Sequence, residues 1–538
     1  MTTIEEFEKL GSQLLDSGQI KAASEVYQKQ TRAYPTNKFA FSNLGVTLSR
    51  LGKFTQAIEA YQQAIKLDSK SDFAYFNLGI AYARQDKYSE AIDQYLKAYA
   101  INSHNSQALA HLVNRLPFIC DWTRPQLARQ LDKITSQELA LGKKPGEQPF
   151  MSVIRSADPQ RNLQIARAYS QAALQQITPF ICKKKPGKVI TVGYASDGFR
   201  DFPTAYTITG LFRCHNRDKF RILAYSFSPD DQSQIRREIA SLADEFIDLS
   251  PAADQAAAAK IYQDQVDILV DLKSHTSGGR LGIFARRPAP IQVNYLGFPG
   301  TSGASFIDYF IGDKIVNPPN ENEYFTEEII RLPHCYRPTE NKFKIHKSKF
   351  TRSSLGLPEK GFIYSSFNGH YKITPEVFAV WMAALNRVPG SVLWLYVTNA
   401  AAIQNLIREA KKHRVNPSKI ILAGRLSKAD HLARISHADL ALDTTPVNGH
   451  TTTVDCLWAG VPVITTLGTH FASRVSATVL SAAGLPQLVA RDLKHYAKLA
   501  IDFGLQPSKL PRVSQKTPLF DTQAYTKRLE AAYLWMMH

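Results

Sequence analysis

The sequence predicts an α plus α/β protein, in which tandem helical repeats precede two doubly wound, Rossmann-like domains of parallel strands. A helical pattern recurs at a spacing of 34 residues between residues 38 and 105. From Lys188 onward, short apolar segments alternate with helical ones, as in parallel α/β domains. The length of 538 residues also suits several domains better than a single core.

The composition is that of an ordinary globular protein, with 44% hydrophobic residues. No segment approaches the length of apolar sequence that spans a membrane, and the acidic start MTTIEEFEKL has no signal-peptide pattern. We therefore expect a cytoplasmic protein that does not bind membranes. The five cysteines are scattered without metal-site spacing, which favours reduced thiols over disulfides or a zinc site.

The net charge of +18 is spread along the chain, and the only dense basic cluster is KKKPGK at 183–188. No base-stacking or helix-turn-helix signature accompanies this charge, so nucleic acid is not an expected partner. A surface that attracts a diphosphate ligand or an acidic protein explains the charge equally well.

Residues 38–71 and 72–105 are two copies of one unit. Asn43 to Gly45 match Asn77 to Gly79, and the same spacing aligns an alanine and a tyrosine in each copy, Ala57 with Ala91 and Tyr61 with Tyr95. Counting back once more finds Gly11, Ala23 and Tyr27, so about three repeats fill residues 1–105. These are tetratricopeptide repeats. We expect the glycines to allow close contact between the two helices of a repeat, and the tyrosines to fill the seam between neighbouring helix pairs of an α-superhelix.

The concave face of such a superhelix binds peptides, which predicts a protein partner. Asn43 and Asn77 recur on the first helix of their repeats, where their amides could pair with the backbone of a bound peptide. The alternative is a local polar position of the repeat, and Lys9 takes the equivalent place in the first repeat. Superhelices of this kind often self-associate, so a homodimer is left open.

A helical linker is predicted over 106–185, followed by α/β domains at 186–345 and 346–538, with a connector at 336–360. The first domain is expected to contain six strands and the second five; the apolar segments lie at 189–194, 221–227, 246–249, 266–272, 291–296 and 309–312, and at 362–367, 392–397, 420–422, 440–442 and 462–466. A final helix at Thr522 to Met537 has one apolar face and is expected to cross to the first α/β domain.

The stretch from Leu440 to Leu467 carries the clearest local signal for a ligand site. A buried strand ends at Asp443, a turn follows, and a helix begins at three successive threonines, Thr451 to Thr453. A helix N-terminus at the carboxyl end of a strand is a ready site for a diphosphate. The alternative is an ordinary βαβ unit with a hydroxyl-rich cap.

An ordered set of motifs then resembles one family. GYASD (193–197), ARRPAPIQVNYLGFPGTSGASFIDY (285–309), SFNGHYKITP (366–375) and NGHTTTVDCLWAGVPVIT (448–465), together with the repeats, look like the O-linked N-acetylglucosamine transferase family, which includes the SPINDLY-type transferases. The short connector resembles that of bacterial-type members. The resemblance implies a GT-B glycosyltransferase with an acceptor-side first lobe and a nucleotide-sugar-side second lobe.

That family moves a sugar from a nucleotide diphosphate to a Ser or Thr hydroxyl of a protein, with inversion and without an essential metal or cofactor. The sequence agrees, because no Asp-x-Asp pair stands at a strand end to hold Mg²⁺. Lys372 matches the lysine that neutralises the leaving diphosphate. The other matches imply nucleotide-sugar contacts: His450, Thr451 and Thr452 at the phosphates, Asp455 at the ribose, and Lys428, His431 and Arg434 at the nucleoside.

On the acceptor side, the loop 299–303 with Thr301 and Ser302 is expected near the sugar and acceptor, or else is a simple tight turn. Asp264 lies where the family offers a candidate acid or base. His275 follows a strand that points at the cleft, and its role is either catalytic or structural.

The chain departs from the family pattern at two positions. Phe202 stands where the family usually has a histidine near the reacting sugar, and Gly369, followed by His370, stands where an amide is common. His275 or His370 could take over part of the missing function. Transfer from UDP-N-acetylglucosamine is the leading hypothesis; the alternatives are a GDP-fucose or UDP-glucose transferase and a non-catalytic repeat scaffold.

Overall fold

The computed structural model describes residues 3–175, 177–183, 187, 189–343, 345 and 350–538. Most of the basic cluster at 183–188, and the predicted domain bounds at residues 186 and 346, lie outside the described residues. The chain forms two compact units, with the boundary between Glu147 and Gln148.

The first unit is helical throughout. Its helices are α1 (Ile4–Asp16), α2 (Ile20–Ala33), α3 (Lys38–Arg50), α4 (Phe54–Leu67), α5 (Asp72–Ala83), α6 (Tyr88–Ile101), α7 (Ser106–Arg115) and α8 (Pro125–Ala140). Helices α1 to α6 form three consecutive pairs, as the 34-residue spacing predicts.

The seams between paired helices explain the repeated glycines and tyrosines. A Cβ atom at Gly45 would lie 2.5 Å from the ring of Tyr61, and one at Gly79 would lie 2.6 Å from the ring of Tyr95. Each tyrosine is buried. The missing side chain therefore makes room for the ring on the second helix of the same pair. Tyr61 also packs in one cluster with Leu78 and Ala81 of the next pair, as predicted from the sequence.

The predicted helical linker at 106–185 is divided between the two units. Helices α7 and α8 belong to the first unit, whereas α9 (Pro149–Arg155) and α10 (Pro159–Ala173) belong to the second. The hydrophobic cluster of Val153, Phe298, Val447 and Ala472 attaches α9 to both α/β lobes.

The N-terminal lobe of the second unit is a seven-stranded parallel sheet in the order β3-β2-β1-β4-β5-β6-β7. The strands are β1 (Ile190–Ser196), β2 (Phe220–Ser226), β3 (Glu245–Asp248), β4 (Ile268–Asp271), β5 (Ile291–Asn294), β6 (Tyr309–Gly312) and β7 (Glu328–Arg331). The helices of this lobe are α11 (Pro203–Cys214), α12 (Gln234–Leu242), α13 (Asp254–Gln263) and α14 (Leu281–Ala285). The edge strand β7 is absent from the sequence prediction.

The C-terminal lobe is a six-stranded parallel sheet in the order β10-β9-β8-β11-β12-β13. Its strands are β8 (Ile363–Ser366), β9 (Val392–Tyr396), β10 (Ile420–Ala423), β11 (Leu440–Leu442), β12 (Val463–Thr466) and β13 (Val489–Ala490). Its helices are α15 (Pro375–Arg387), α16 (Ala400–Lys412), α17 (Lys428–Ile435), α18 (Thr451–Trp458), α19 (Val475–Ala482), α20 (Leu493–Leu505) and α21 (Thr522–Met537).

Both sheets reverse their strand order once, between β1 and β4 and between β8 and β11. In doubly wound sheets, ligands bind at the carboxyl ends of the strands beside this reversal. We therefore expect ligand-binding residues in the loops after β1, β4, β8 and β11.

The final helix α21 returns to the N-terminal lobe. The Tyr533 hydroxyl lies 3.1 Å from that of Tyr194, and Glu530 Oε1 lies 3.0 Å from Nδ1 of the buried His215. This buried polar network attaches the last helix to β1 and to the end of α11. Among the described residues, no helix is long and apolar enough to cross a membrane.

Candidate active site

Two adjoining cavities lie between the carboxyl edges of the two sheets. The inner cavity has a volume of about 450 Å³ and is lined from both lobes, with Phe202 and Lys273 on one side and Lys372 and His450 on the other. The outer cavity has a volume of about 620 Å³ and is lined by α17, by Phe367 and by the start of α11. Phe202, Pro203, Thr451 and Thr452 line both cavities, so the two are continuous.

Lys372 lies on a short helical turn, His370–Lys372, after strand β8. Its Nζ donates a 2.8 Å hydrogen bond to the carbonyl of Asn448, just before helix α18. Burial lowers the pKa of Lys372 to about 8, against a raising influence of Asp443. The ammonium group is thus held at the start of α18 and faces the inner cavity.

The start of α18 is shaped by the buried carboxylate of Asp443. It accepts hydrogen bonds from the Gly449 amide at 2.6 Å, the Thr465 hydroxyl at 2.6 Å and the Asn368 side chain at 3.0 Å. His450 is the N-cap residue and makes no side-chain capping bond. The first-turn N–H groups at Thr451 and Thr452, on the cavity wall, remain donors for an anion.

His450 lies beside the cations of the inner cavity. Burial, followed by the charges of Lys372 and Arg337, holds the pKa of His450 well below its usual range. Its ring is therefore neutral at physiological pH. Its Nε2 is buried and has no hydrogen-bond partner among the described residues.

The outer cavity has an aromatic wall on α17. The Arg434 Nε donates to His431 Nδ1 at 3.1 Å, which fixes the tautomer with the proton on Nε2. The Phe367 ring lies edge-on to His431, with centroids 5.1 Å apart. Burial lowers the pKa of His431 to about 3, so the wall presents a neutral, immobilised ring against which a nucleobase can stack.

Lys428 and Asp455 form an ion pair on the wall of the outer cavity. The Nζ of Lys428 lies 2.5 Å and 2.6 Å from the two carboxylate oxygens of Asp455. Burial raises the pKa of Asp455, and Lys428 opposes that shift. The predicted ribose-binding carboxylate therefore also anchors α17 to α18.

Phe202 is held between two cations. Its ring lies 4.8 Å from the Arg200 guanidinium and 4.9 Å from the Lys273 Nζ. Lys273 is buried and forms a 2.7 Å ion pair with Asp197. The ring thus fills the place of the family histidine with a cation–π contact rather than a proton acceptor.

The structure does not direct the Thr301 and Ser302 hydroxyls into the inner cavity. Both donate to the buried carboxylate of Glu327, at 2.5 Å each, and the Ser302 amide donates to it at 2.7 Å. Pro299 is the residue of this loop that lines the cavity. The polar side chains of the loop therefore stabilise its shape.

His275 is tied to the same loop. Its Nε2 lies 2.7 Å from the Ser302 carbonyl, and its ring packs edge-on against Phe298. Burial lowers the pKa of His275 to about 4. The next residue, Thr276, lines the inner cavity, whereas His275 is not among the described lining residues.

The structure does not bring Asp264 to the cavities. This residue caps the end of α13 and precedes β4, so it lies at the amino edge of the sheet, opposite the cleft. Its carboxylate accepts a 2.8 Å hydrogen bond from Tyr225 and pairs with Lys260. The expectation of an acid or base at the reacting sugar is corrected by this position.

The turn at Lys372 explains why glycine stands at position 369. A Cβ atom at Gly369 would lie 2.5 Å from the ring of Tyr371, which itself lines the inner cavity. The tyrosine ring takes the space that an amide side chain would need. His370, on the same turn, is not among the described lining residues of either cavity.

In the repeat unit, Asn43 and Asn77 are half-buried on α3 and α5. The Asn77 Nδ2 donates a 2.9 Å hydrogen bond to the Phe73 carbonyl of its own helix. Phe39 and Phe73, one turn before the asparagines, are 60% and 49% exposed. These aromatic side chains were not singled out from the sequence, although they recur at the same spacing.

Three further residues of the site were missed. Asp443 and Glu327 are buried carboxylates that organise loops, and Arg337 is a buried guanidinium on the wall of the inner cavity. Only the position of Asp443, at the end of a predicted strand, gave a signal in the sequence. Glu327 and Arg337 gave no such signal, because only their contacts with residues distant in sequence place them in the site.

The model of glycosyl transferase family 41 matches residues 119–349 and 339–529, and models of the tetratricopeptide repeat match residues 48–86 and 72–105. The two ranges matched by the family 41 model together cover most of the second compact unit.

Curated relatives carry related names. The chain is 36% identical over 455 residues to the Arabidopsis thaliana probable UDP-N-acetylglucosamine-peptide N-acetylglucosaminyltransferase SEC, covering 79% of the chain and 47% of the relative. It is 26% identical over 543 residues to a Caenorhabditis elegans protein of that transferase name, covering 77% and 47%. A Petunia hybrida SPINDLY protein is 30% identical over 377 residues, covering 67% and 40%. The chain thus spans about half the length of these relatives or less.

Among solved structures, a mutant of the Thermobaculum terrenum O-GlcNAc transferase matches with a TM-score of 0.70 and 24% identity. The match covers 100% of this chain and 98% of the other. It confirms the predicted fold, in which helical repeats precede a GT-B pair of parallel-sheet lobes.

Proposed function

The chain belongs to glycosyl transferase family 41, and we propose that it transfers N-acetylglucosamine from UDP-N-acetylglucosamine to Ser and Thr hydroxyls of proteins. One observation carries the proposal. The Lys372 ammonium and the start of α18 meet on the wall of the inner cavity, and the outer cavity beside it offers a neutral histidine ring for a base.

In this proposal the nucleoside occupies the outer cavity. The base stacks on His431, whose orientation is fixed by Arg434, and the ribose reaches the Lys428–Asp455 pair. The diphosphate then lies at the start of α18, where Thr451 and Thr452 line both cavities. The sugar extends into the inner cavity beside Phe202.

The chemical step breaks the bond between the sugar C1 and the diphosphate oxygen. An acceptor hydroxyl attacks C1 from the opposite face, releases its proton to solvent water, and becomes the glycosidic oxygen at an inverted C1, while UDP departs with the electrons of the broken bond. Negative charge grows on the departing diphosphate, and Lys372 with the N-terminus of α18 stabilises it. His275 is assigned a positioning role, because its Nε2 is bonded to the Ser302 carbonyl.

We propose that the protein itself, and not a divalent cation, balances the diphosphate charge. The described wall of the inner cavity carries Lys273, Arg337 and Lys372 and no carboxylate. Such a set of side chains suits an anion rather than a metal ion. Transfer should therefore persist in EDTA.

The repeats are proposed to select the acceptor protein, since stacked tetratricopeptide pairs present a peptide-binding face. All five cysteines are free thiols, which suits the cytoplasm as the proposed compartment. Self-association of the repeats remains a prediction, which sedimentation of the purified protein would test.

Calorimetric titration of the purified chain with UDP, GDP and UDP-N-acetylglucosamine in EDTA tests the donor half of the proposal. We expect UDP and its sugar conjugate to bind, and GDP to bind at least tenfold more weakly. Binding of GDP alone would replace the donor with a GDP-sugar. Binding of none of the three would leave the chain as a non-catalytic repeat scaffold.

A further inference from the structure

We propose that Arg337 is a second cation for the donor diphosphate, acting from the N-terminal lobe opposite Lys372. This inference rests on the function proposed above. Arg337 follows β7 and lines the inner cavity together with Lys372, His450, Thr451 and Thr452. Its charge helps to lower the pKa of His450, so the guanidinium lies close to the start of α18.

The guanidinium has almost no partner within the protein. Arg337 is only 4% exposed, yet the only hydrogen bond of its side chain among the described residues is a 3.4 Å contact from Nη2 to the Thr207 hydroxyl. Its Nε is buried without a partner, and no described carboxylate lies within ion-pair distance. Burial raises the pKa of Asp455, and the charges of Lys428 and then Arg337 lower it. Both oxygens of that carboxylate are nevertheless bound by Lys428 and not by Arg337.

Two of the other described buried arginines of this unit, Arg236 and Arg474, are paired with acids, whereas Arg434 donates to His431 and to the Gly424 carbonyl. Arg474 forms two 2.6 Å hydrogen bonds with Glu321, and Arg236 lies 3.2 Å from Asp230 and 3.5 Å from Asp248. A buried charge without a partner is costly, so proteins rarely keep one unless a ligand completes it. Arg337 differs from Arg236 and Arg474 in lining the inner cavity, where an anion can supply the missing partner.

The charge of the cavity matches a nucleoside diphosphate. Three cations line it, but Lys273 is neutralised by Asp197. Lys372 and Arg337 are left without carboxylate partners among the described residues, so they present two positive charges. The diphosphate of a nucleotide sugar carries two negative charges, one on each phosphate, and a guanidinium can contact two oxygens at once.

Because Arg337 belongs to the N-terminal lobe, its contact with a diphosphate would also link the two lobes. The preceding residue, Tyr336, is fixed by its amide, which donates to the buried Asp313, and by its carbonyl, which accepts from Tyr525. Arg337 is thus supplied by a rigid part of the N-terminal lobe, whereas Lys372 and α18 belong to the C-terminal lobe. A diphosphate held by both cations would join the two lobes around the donor.

The test compares Arg337→Met with Arg331→Met in the 538-residue chain. Arg331 lies on β7, outside the described cavity walls, and its Nε donates to the Asn317 carbonyl at 2.6 Å. For each variant, UDP affinity is measured by calorimetry and the ligand-free thermal midpoint by scanning calorimetry. We expect R337M to weaken UDP binding about 10- to 100-fold without lowering the midpoint, because it removes an uncompensated buried charge.

R331M should show the reverse, with a lowered midpoint and unchanged UDP affinity. Arg337→Lys should recover part of the UDP affinity, because it restores the charge but not the two-pronged contact. If R337M and R337K bind UDP as the wild-type chain does, the inference is overturned while the proposed function stands. If the wild-type chain binds no UDP, the proposed function itself fails.

Discussion

At the scale of single residues, Lys372 is the group whose charge should control donor binding. Burial lowers its pKa to about 8, so the free protein carries the ammonium below that pH and loses it above. Since the charged form is the one that stabilises the diphosphate, kcat/KM for the donor should fall as pH rises through about 8. Bound diphosphate favours the ammonium, so kcat should fall only at higher pH.

The pH profile is measured with saturating acceptor between pH 6 and pH 10, with Lys372→Met as the companion variant. K372M should keep its fold, because it removes a buried charge, and should lose roughly 10²- to 10³-fold in kcat. A wild-type profile that stays flat to pH 10, or a K372M variant with normal turnover, would contradict the assigned role.

Gly369 offers a second residue-scale prediction. A Cβ atom there would lie 2.5 Å from the Tyr371 ring, so Gly369→Ala should displace the turn that carries Lys372. We expect kcat/KM to fall by about tenfold or more, since small displacements of catalytic groups are costly. Gly424→Ala is the matched control, because nothing lies within 4 Å of its Cβ position. Equal activity of the two variants would show that the turn tolerates the change.

The residues that line the two cavities from the C-terminal lobe were largely predictable, and the contacts of the loop 299–303 were not. Lys372 and His450 to Thr452 stand in contiguous motifs, and the structure brings them to one cavity. Thr301 and Ser302 stand in an equally clear motif, yet their hydroxyls are bound to Glu327, which lies more than twenty residues further along the chain. A motif specifies a loop, but the partner of each side chain is decided by packing.

At the scale of elements, Glu327 holds the loop 299–303 in place. Its carboxylate accepts from Thr301, from the amide and hydroxyl of Ser302, and from Asn294. Glu327→Gln replaces an acceptor with a donor among these donors, which should lower the free energy of unfolding of the catalytic unit by about 1–3 kcal/mol.

The measurement is the thermal midpoint of the 538-residue chain, with Glu328→Gln as control. Glu328 is the adjacent residue and is exposed, so its substitution should change stability by no more than about 0.5 kcal/mol. A drop in the midpoint for E327Q alone supports the assignment. Equal midpoints would mean that the loop keeps its shape without the carboxylate.

Most elements could be predicted from local pattern, and the exceptions have physical reasons. The final helix begins and ends where the sequence predicts, at Thr522 and Met537. Strand β7 was missed because its two isoleucines are flanked by charged residues at the edge of the sheet, and β13 because it has only two residues. Such strands are set by pairing with their neighbours rather than by their own composition.

At the scale of the whole molecule, the repeat spacing and the βα alternation were enough to predict the two kinds of unit. The strand order of each sheet was not predictable, because it depends on pairing between distant segments such as β1 with β4. The cleft follows from that order, since the reversals bring the loops after β1, β4, β8 and β11 together. The clustering of Arg337 with Lys372 could not be read from the sequence for the same reason.

The prediction at this scale follows from the proposal that the repeats bind the acceptor while the second unit binds the donor. Substitution of both Asn43 and Asn77 by Ala should raise KM for a protein acceptor about fivefold for each asparagine, while UDP affinity stays unchanged. The asparagines lie in the first unit, and the cavities proposed to bind the nucleotide lie in the second. An unchanged KM would mean that these amides serve their own helices, as the bond from Asn77 to Phe73 would allow.

The central claim is that this chain transfers N-acetylglucosamine from UDP to protein hydroxyls. The most direct measurement is multiple-turnover transfer of labelled sugar from UDP-N-acetylglucosamine to Ser- and Thr-containing peptides in EDTA, with GDP-fucose as the competing donor and K372M as the blank. The account predicts labelled peptide in excess of enzyme from the UDP donor, with inverted anomeric configuration, and at least about a hundredfold slower labelling by K372M. Label from GDP-fucose alone, or equal labelling by the wild-type chain and K372M, would contradict it.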